Sequence, residues 1–221
     1  MAAFQNGLMA SLPAEFAQVM KCTRCTSSTD PYLLRDNGEN VPQPGFVGAN
    51  YAQKRVMFVG QNTGTPKSLI YEDLPYTAGL RALRDDPTVE RYEKLAAILR
   101  DFMPLWRILD SFPLIECGLT LDDIAYCNIV RCRTTDDRAP RRGVSNNCAA
   151  LHFDRWLGLL QPKVVVFLGW WPYERGSAFV HARGIAQDYI NRSRSLSAND
   201  RAKNRERVAK LVLNYVGVSN L

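Results

Sequence analysis

The sequence predicts an α/β protein of three layers, α/β/α, built on a central, mostly parallel four-stranded sheet. Two observations carry this. The runs RVMFVG (55–60) and KVVVFLG (163–169) are continuous, apolar and rich in β-branched or aromatic residues, as strands buried on both faces are. Around them lie segments with helical periodicity, and strands alternating with helices assemble as a parallel sheet covered on both sides.

Taken in order, a first helix is expected at about 11–21, with Ser11 and Pro13 in capping positions, leading into KCTRCTSS. A loop rich in Gly, Asn and Pro (35–53) precedes the first strand, whose end is GQNTG (60–64). Helical patterning resumes at 78–86 and 91–112, followed by a strand at 122–132 (DDIAYCNIVRC), a basic loop at 133–147 and a helix at 148–161. After the strand at 163–169, a helix covers Trp170 to Arg183 and GIAQDYI (184–190) is the last strand. A closing helix, 200–216, carries Val208, Leu211, Val212 and Tyr215 on one face.

At 221 residues and 46% hydrophobic content, with no composition shift, residues 1–221 read as one domain. The chain has 28 Lys and Arg against 22 Asp and Glu, a formal charge of +6, which favours anionic partners. No apolar stretch approaches the roughly 20 residues a membrane span needs, and the first residues lack a signal-peptide pattern, so a cytoplasmic protein without membrane partners is expected. In that reducing compartment the six cysteines are read as metal ligands before disulfides.

Cys22 and Cys25 form a C-x-x-C step, and Cys132 and Cys148 lie far downstream with fifteen residues between them. Four thiolates from two separated segments can close one tetrahedral site, for zinc or a [4Fe-4S] cluster, and spacing alone does not separate the two. Cys117 and Cys127 sit in apolar context without a partner step and read as buried thiols. In a parallel sheet, ligands bind beyond the carboxyl ends of the strands, so the loops after Val59, Asn128, Leu168 and Ile190 are the ones to inspect. GQNTGTPKS is no Walker cradle, because its lysine is displaced and follows a proline.

This ordered set, from the N-terminal C-x-x-C through the G-x-x-x-G strand end and YCNIVRCR to LLQPKVVVFLG, resembles the iron-sulfur branch of the uracil-DNA glycosylase superfamily over about residues 20–170. The resemblance implies a [4Fe-4S] cluster, structural in role, held by Cys22, Cys25, Cys132 and Cys148. It implies a monofunctional DNA glycosylase, a hydrolase that flips a damaged or modified base, uracil or a modified pyrimidine, and cuts its N-glycosidic bond. DNA is then the partner and a monomer is expected.

By the same resemblance, Asn128, four residues before Cys132, reads the base. GQNTG departs from the branch's Gly-Glu-Ala-Pro-Gly and looks closer to the Gly-x-Asn-Pro-Gly of the mismatch-specific and single-strand-selective branches. That gives Asn62 the attacking water, which an amide can orient but not deprotonate, and the Gln61 backbone amide a base carbonyl. Tyr76, in LPYTAG, takes the place of the stacking aromatic, with a core tyrosine as the alternative. NRS (191–193) stands where relatives carry His-Pro-Ser or Asn-Pro-Ser, so Asn191 and Arg192 take the leaving base. Arg131, Arg133, Arg138, Arg141 and Arg142, with Arg192 and Arg194, form a phosphate track whose affinity would depend strongly on salt. His152 reads as structural or surface, and His181 follows a helix.

The altered loops and the arginine-rich last loop also suit a larger base, such as a modified cytosine of phage DNA, and thus antiviral defence in place of repair. A different class, a non-catalytic damage-sensing iron-sulfur protein that binds DNA without turnover, accounts for the absent aspartate and histidine as well.

Overall fold

The computed structural model describes residues 2–25, 29–34, 41–64, 70–101, 113–135, 138–193 and 195–216. Six strands are present among them: β1 Leu33–Leu34, β2 Phe46–Val47, β3 Val56–Thr63, β4 Ile124–Thr134, β5 Val164–Phe167 and β6 Ala186–Tyr189. The four expected strands form the parallel sheet, in the order β4-β3-β5-β6, with Val59 level with Cys127 on one side and Phe167 on the other. Two additions that the sequence does not announce, β1 and β2, pair antiparallel with β4.

The helices are α1 Ala2–Met20, α2 Tyr51–Lys54, α3 Ile70–Asp85, α4 Val89–Asp101, α5 Arg142–Cys148, α6 Asp154–Leu160, α7 Trp170–His181 and α8 Ala198–Val216. Alternation along the strands feeds two cores. Val56, Phe58, Val164 and Val166 pack against Leu114, Cys117, Leu119 and the Val208, Ala209 and Val212 stripe of α8. Met57, Val59, Val165 and Phe167 pack on the other side, against α1, α3, α4, Phe153, Trp156 and Val180. Each such side chain, wholly withdrawn from water, contributes about 2 kcal/mol, so the three-layer arrangement follows from strands that are apolar on both faces. α7 lies directly on the sheet because Gly176 lacks a side chain: a Cβ there would meet Phe167 Cε1 at 2.6 Å and Ile129 Cδ1 at 2.9 Å.

Three expectations are corrected. The first helix begins at Ala2, not near Ser11, and Pro13 lies inside it; Ser11 Oγ bonds back to the Leu8 carbonyl at 2.8 Å instead of capping. Leu8, Leu12, Phe16 and Met20, spaced four apart, supply its buried stripe. The basic loop is helical from Arg142, and a single π turn, Ala149–Phe153, joins α5 to α6. In α8 Tyr215 is 45% exposed, and Asn204 and Ala209 turn inward in its place. Residues 102–112 of the expected helix at 91–112 lie outside the described residues. Among the described residues no helix is long and apolar enough to cross a membrane.

Candidate active site

Gly60 and Asn128 are paired in register midway along β3 and β4, one residue past the level at which β5 ends. The expected loop GQNTG is largely strand: β3 runs through Gln61, Asn62 and Thr63, stepping past a register shift between Asn62 and Thr63. Polar residues continue the ladder because β4 extends to Thr134 beside them. Asn128 is buried, and its Oδ1 accepts a 2.9 Å bond from the Tyr126 hydroxyl. That bond fixes the amide, leaving Nδ2 as a donor and one oxygen lone pair unused by Tyr126.

Gly60 makes this possible. A Cβ on it would lie 2.2 Å from Asn128 Oδ1 and 2.9 Å from the Tyr126 hydroxyl. Gly60→Ala is therefore expected to displace the Asn128 amide and to lower the unfolding free energy by about 2 kcal/mol, measured by urea unfolding beside DNA affinity. An alanine protein with wild-type values for both would contradict the tight packing described. Burial pushes the Tyr126 phenol up to about 12, so it donates throughout the neutral range.

Asn62 is held on three sides. Its Nδ2 donates to Thr134 Oγ1 at 3.0 Å and to the Thr63 carbonyl at 3.3 Å, and its Oδ1 accepts from Gln61 Nε2 at 3.0 Å. Thr134 in turn donates to the Arg138 carbonyl at 2.6 Å. The Gln61 main chain faces the β5 side of the strand, as Val59 does, whose carbonyl accepts from Leu168. Since β5 ends at Phe167, the Gln61 N–H lies beyond it. Neither Thr134 nor Tyr126 is marked by the sequence reading, although Tyr126 stands two residues from Asn128 and so shares its face.

After β6 the chain passes the site again. Asn191, Arg192 and Ser193 are exposed, and the Arg192 guanidinium is close enough to Tyr126 to favour its phenolate electrostatically. Asn191 Oδ1 is turned onto the Ser193 amide at 3.0 Å, and its carbonyl accepts from Asn204 Nδ2 of α8 at 3.2 Å. Asn191 thus shapes the loop, and Arg192 is its forward-facing cation. Arg194 lies outside the described residues.

Three expected positions are placed in the interior. Tyr76 on α3 is 1% exposed and belongs to the core beside α1, so its ring presents no open stacking face. Arg133 is 5% exposed, and Arg131, at 1%, donates to the Pro44 carbonyl and lies over the Trp156 ring at 4.6 Å. Successive residues of a strand face opposite ways, and β4 is covered on both sides. The exposed members of the expected track are Arg138, over Tyr32 at 4.3 Å, Arg141, Arg142 and Arg192. His181 is exposed at the far end of α7, about 16 Å of helix from Trp170.

The cysteine segments converge. The Cys148 sulfur is engaged by the Cys25 thiol and the Arg131 backbone, with Cys132 within electrostatic reach; the Cys25 bond and burial push the Cys148 thiol up. Cys22 follows α1, its amide bonded to the Val19 carbonyl at 3.1 Å. The segments are also stitched without thiols: Asp30 accepts from the Arg141 amide at 2.9 Å, and Thr135 donates its amide to Tyr32 at 2.8 Å. Among the described residues, no group of three or more His, Cys, Asp and Glu is arranged to hold a metal ion. The donor chemistry suits an iron-sulfur group nonetheless, since soft thiols meet beside a backbone amide that stabilises thiolate. Cys117 and Cys127 are buried on opposite faces of the sheet.

Beside Cys22, a cavity of about 290 Å³ is lined by Glu15, Arg24, His152, Arg155 and Trp156. His152 is buried in the π turn, and burial, then Arg131 and Arg155, lower its pKa from 6.5 to about 4. The unfolded chain therefore binds a proton below pH 6.5 that the folded one refuses until about pH 4. Stability present above pH 6.5 is lost on acidification to pH 4.5, by about 2 kcal/mol from this group. His152→Gln should narrow the difference between unfolding free energies at pH 7 and 4.5 by that amount; an unchanged difference would refute it.

Fold and site together define an α/β protein with polar amides gathered on its two central strands, past the level at which β5 ends, and exposed arginines in the loops that follow. Residues 48–199 match the family model described as Uracil DNA glycosylase superfamily, and the chain belongs to that superfamily. Its members are DNA glycosylases, which hydrolyse N-glycosyl bonds. No curated protein matches the chain.

Proposed function

We propose that the chain is a monofunctional DNA glycosylase that extrudes a damaged or modified pyrimidine and hydrolyses its N-glycosidic bond, leaving an abasic site. The carrying observation is the Asn128 amide seated on Gly60, with the tethered Asn62 amide two residues along the same strand. A flipped base needs polar groups for its edge and a held water for its sugar. Asn128 Nδ2 and the Gln61 N–H donate to base oxygens. Asn62 Oδ1, with one lone pair beyond the Gln61 contact, accepts a hydrogen bond from the attacking water and aims its oxygen at the sugar carbon, and the proton the water sheds after attack passes to solvent. As the bond breaks, electrons move to the departing base, and Arg192 stabilises the resulting anion.

Cys22, Cys25, Cys132 and Cys148 would hold a [4Fe-4S] cluster, whose chemistry is structural: four iron-thiolate bonds joining the end of α1, the end of β4 and α5. The three thiols that approach one another support this reading. The phosphate track runs over Arg138, Arg141 and Arg142. The arginine in the last loop favours a larger or more polar base than uracil, the modified cytosines of phage DNA included.

The test is an oligonucleotide panel carrying uracil, mismatches and modified cytosines, followed by alkaline cleavage at abasic sites. Free base released from at least one substrate supports the proposal. Tight binding to the panel with no abasic product would instead mark a damage-sensing protein without turnover.

A further inference from the structure

Beside the strands that carry the two asparagines, β5 and β6 end level with Val59, and just past their ends an aromatic column stands out of the protein. Trp170, the first residue of α7, is 58% exposed, among the most exposed large apolar side chains described. It is braced from two sides, by Tyr173 one turn on (centroids 5.5 Å, interplanar angle 38°) and by Tyr189 at the end of β6 (5.5 Å, 72°). The tyrosines pack on each other at 5.1 Å, and Tyr173 meets the fully buried Phe167 edge-on at 5.6 Å. The column is thus anchored in the core, and its wet end is an indole. Holding so large an apolar ring in water gains nothing for the fold; aromatic faces held this way are what nucleobases stack on.

Charge decides the occupant. Arg207 lies over Tyr189 at 5.8 Å and pairs with Asp188, and Glu174 is paired with Arg175 at 3.4 Å, so both carboxylates within four residues of the column are neutralised. Arg192, three residues past Tyr189, is exposed and within electrostatic reach of Tyr126 in the asparagine site. An apolar face whose neighbouring carboxylates are paired, with the Arg192 cation between it and the base site, fits a nucleic acid better than a protein surface.

We infer that Trp170, braced by Tyr173 and Tyr189, is a stacking site for an unpaired nucleobase of the DNA strand being processed. The inference rests on the glycosylase reading for its ligand. It supplies the open aromatic face that the buried Tyr76 lacks, at a position outside the amide pair. Its consequence is a preference for DNA with bases already unstacked.

The full-length protein and its Trp170→Ala and Trp170→Phe variants would be titrated with three DNAs of one sequence: a single strand, a duplex with a short unpaired gap, and the fully paired duplex. Trp170→Ala is expected to bind the first two about ten- to a hundredfold more weakly and the paired duplex within about twofold. Trp170→Phe should keep most of the affinity and lose the quenching of tryptophan emission that accompanies single-strand binding. Thermal unfolding matched to wild type accompanies each titration, as the exposure of Trp170 predicts. Equal weakening on all three DNAs overturns the inference, as does wild-type binding by the alanine variant. A change confined to self-association, seen by light scattering, overturns it in favour of a protein interface. Wild-type protein that binds none of the three DNAs removes the glycosylase reading itself, a failure distinct from the others.

Discussion

Asn62→Ala is expected to slow base release about 10²- to 10³-fold while leaving DNA affinity within about twofold. The water then loses the acceptor that orients it, but the groups that grip the base and the phosphates are untouched. The more telling substitution is Asn62→Asp. On chemistry alone a carboxylate should help, since it both orients water and takes its proton. The hydrogen bonds argue otherwise. Nδ2 donates to two acceptors, the Thr63 carbonyl and the Thr134 hydroxyl, whose own proton is committed to the Arg138 carbonyl. An aspartate oxygen in that place would face two lone pairs across about 3 Å, so the variant is expected to lose stability and to gain little rate. Single-turnover release and urea unfolding measure the two effects. Asn62→Asp at wild-type stability and a rate raised tenfold would show that the amide is not what the site is built around.

Cys148→Ala is expected to leave the protein colourless and without the iron and acid-labile sulfide, about four of each, that a [4Fe-4S] cluster contributes. Unfolding free energy should fall by about 4 kcal/mol, the range reached when a metal group is lost. Cys148 is chosen because it is buried and engaged by Cys25 and the Arg131 backbone at once. Cys117→Ala is the control: that thiol is buried on the opposite face of the sheet, its pKa pushed to about 11 by burial, with Sγ 3.7 Å from the Ala209 carbonyl. It should keep its iron. A wild-type preparation that holds one zinc per chain and no sulfide would replace the cluster by a zinc site at the same four residues.

The parallel strands are legible because VMFV and VVVF have no polar residue to place, and continuous burial is the one environment that suits them. The antiparallel strands, two residues each, carry no pattern long enough to read. The end of β3 is illegible for the opposite reason: Gln61, Asn62 and Thr63 look like a turn, and only the extended β4 alongside keeps them paired. In the same way the run of arginines after Asn128 looks uniformly solvated. Its strand sends Arg131 and Arg133 inward, and the ring of Trp156, which accepts the first of them, is distant in sequence. Tyr76, the expected stacking aromatic, is buried, and the exposed ring is that of Trp170. Local pattern gives an aromatic residue near the site, but tertiary packing decides which one keeps an open face.

Thr134 links the strand that carries Asn62 to the basic loop. Its hydroxyl has a single proton, given to Arg138 in the basic loop, and its oxygen receives Asn62. The backbone of the basic loop is therefore the reference against which the Asn62 amide is aligned. A shift of that loop by an ångström, whether from an empty cysteine site or a phosphate pulling on Arg141, would turn the hydroxyl and with it the amide. Seating on the right DNA and aiming the water then become a single mechanical event, and an enzyme loosely bound to the wrong DNA would stand out of alignment.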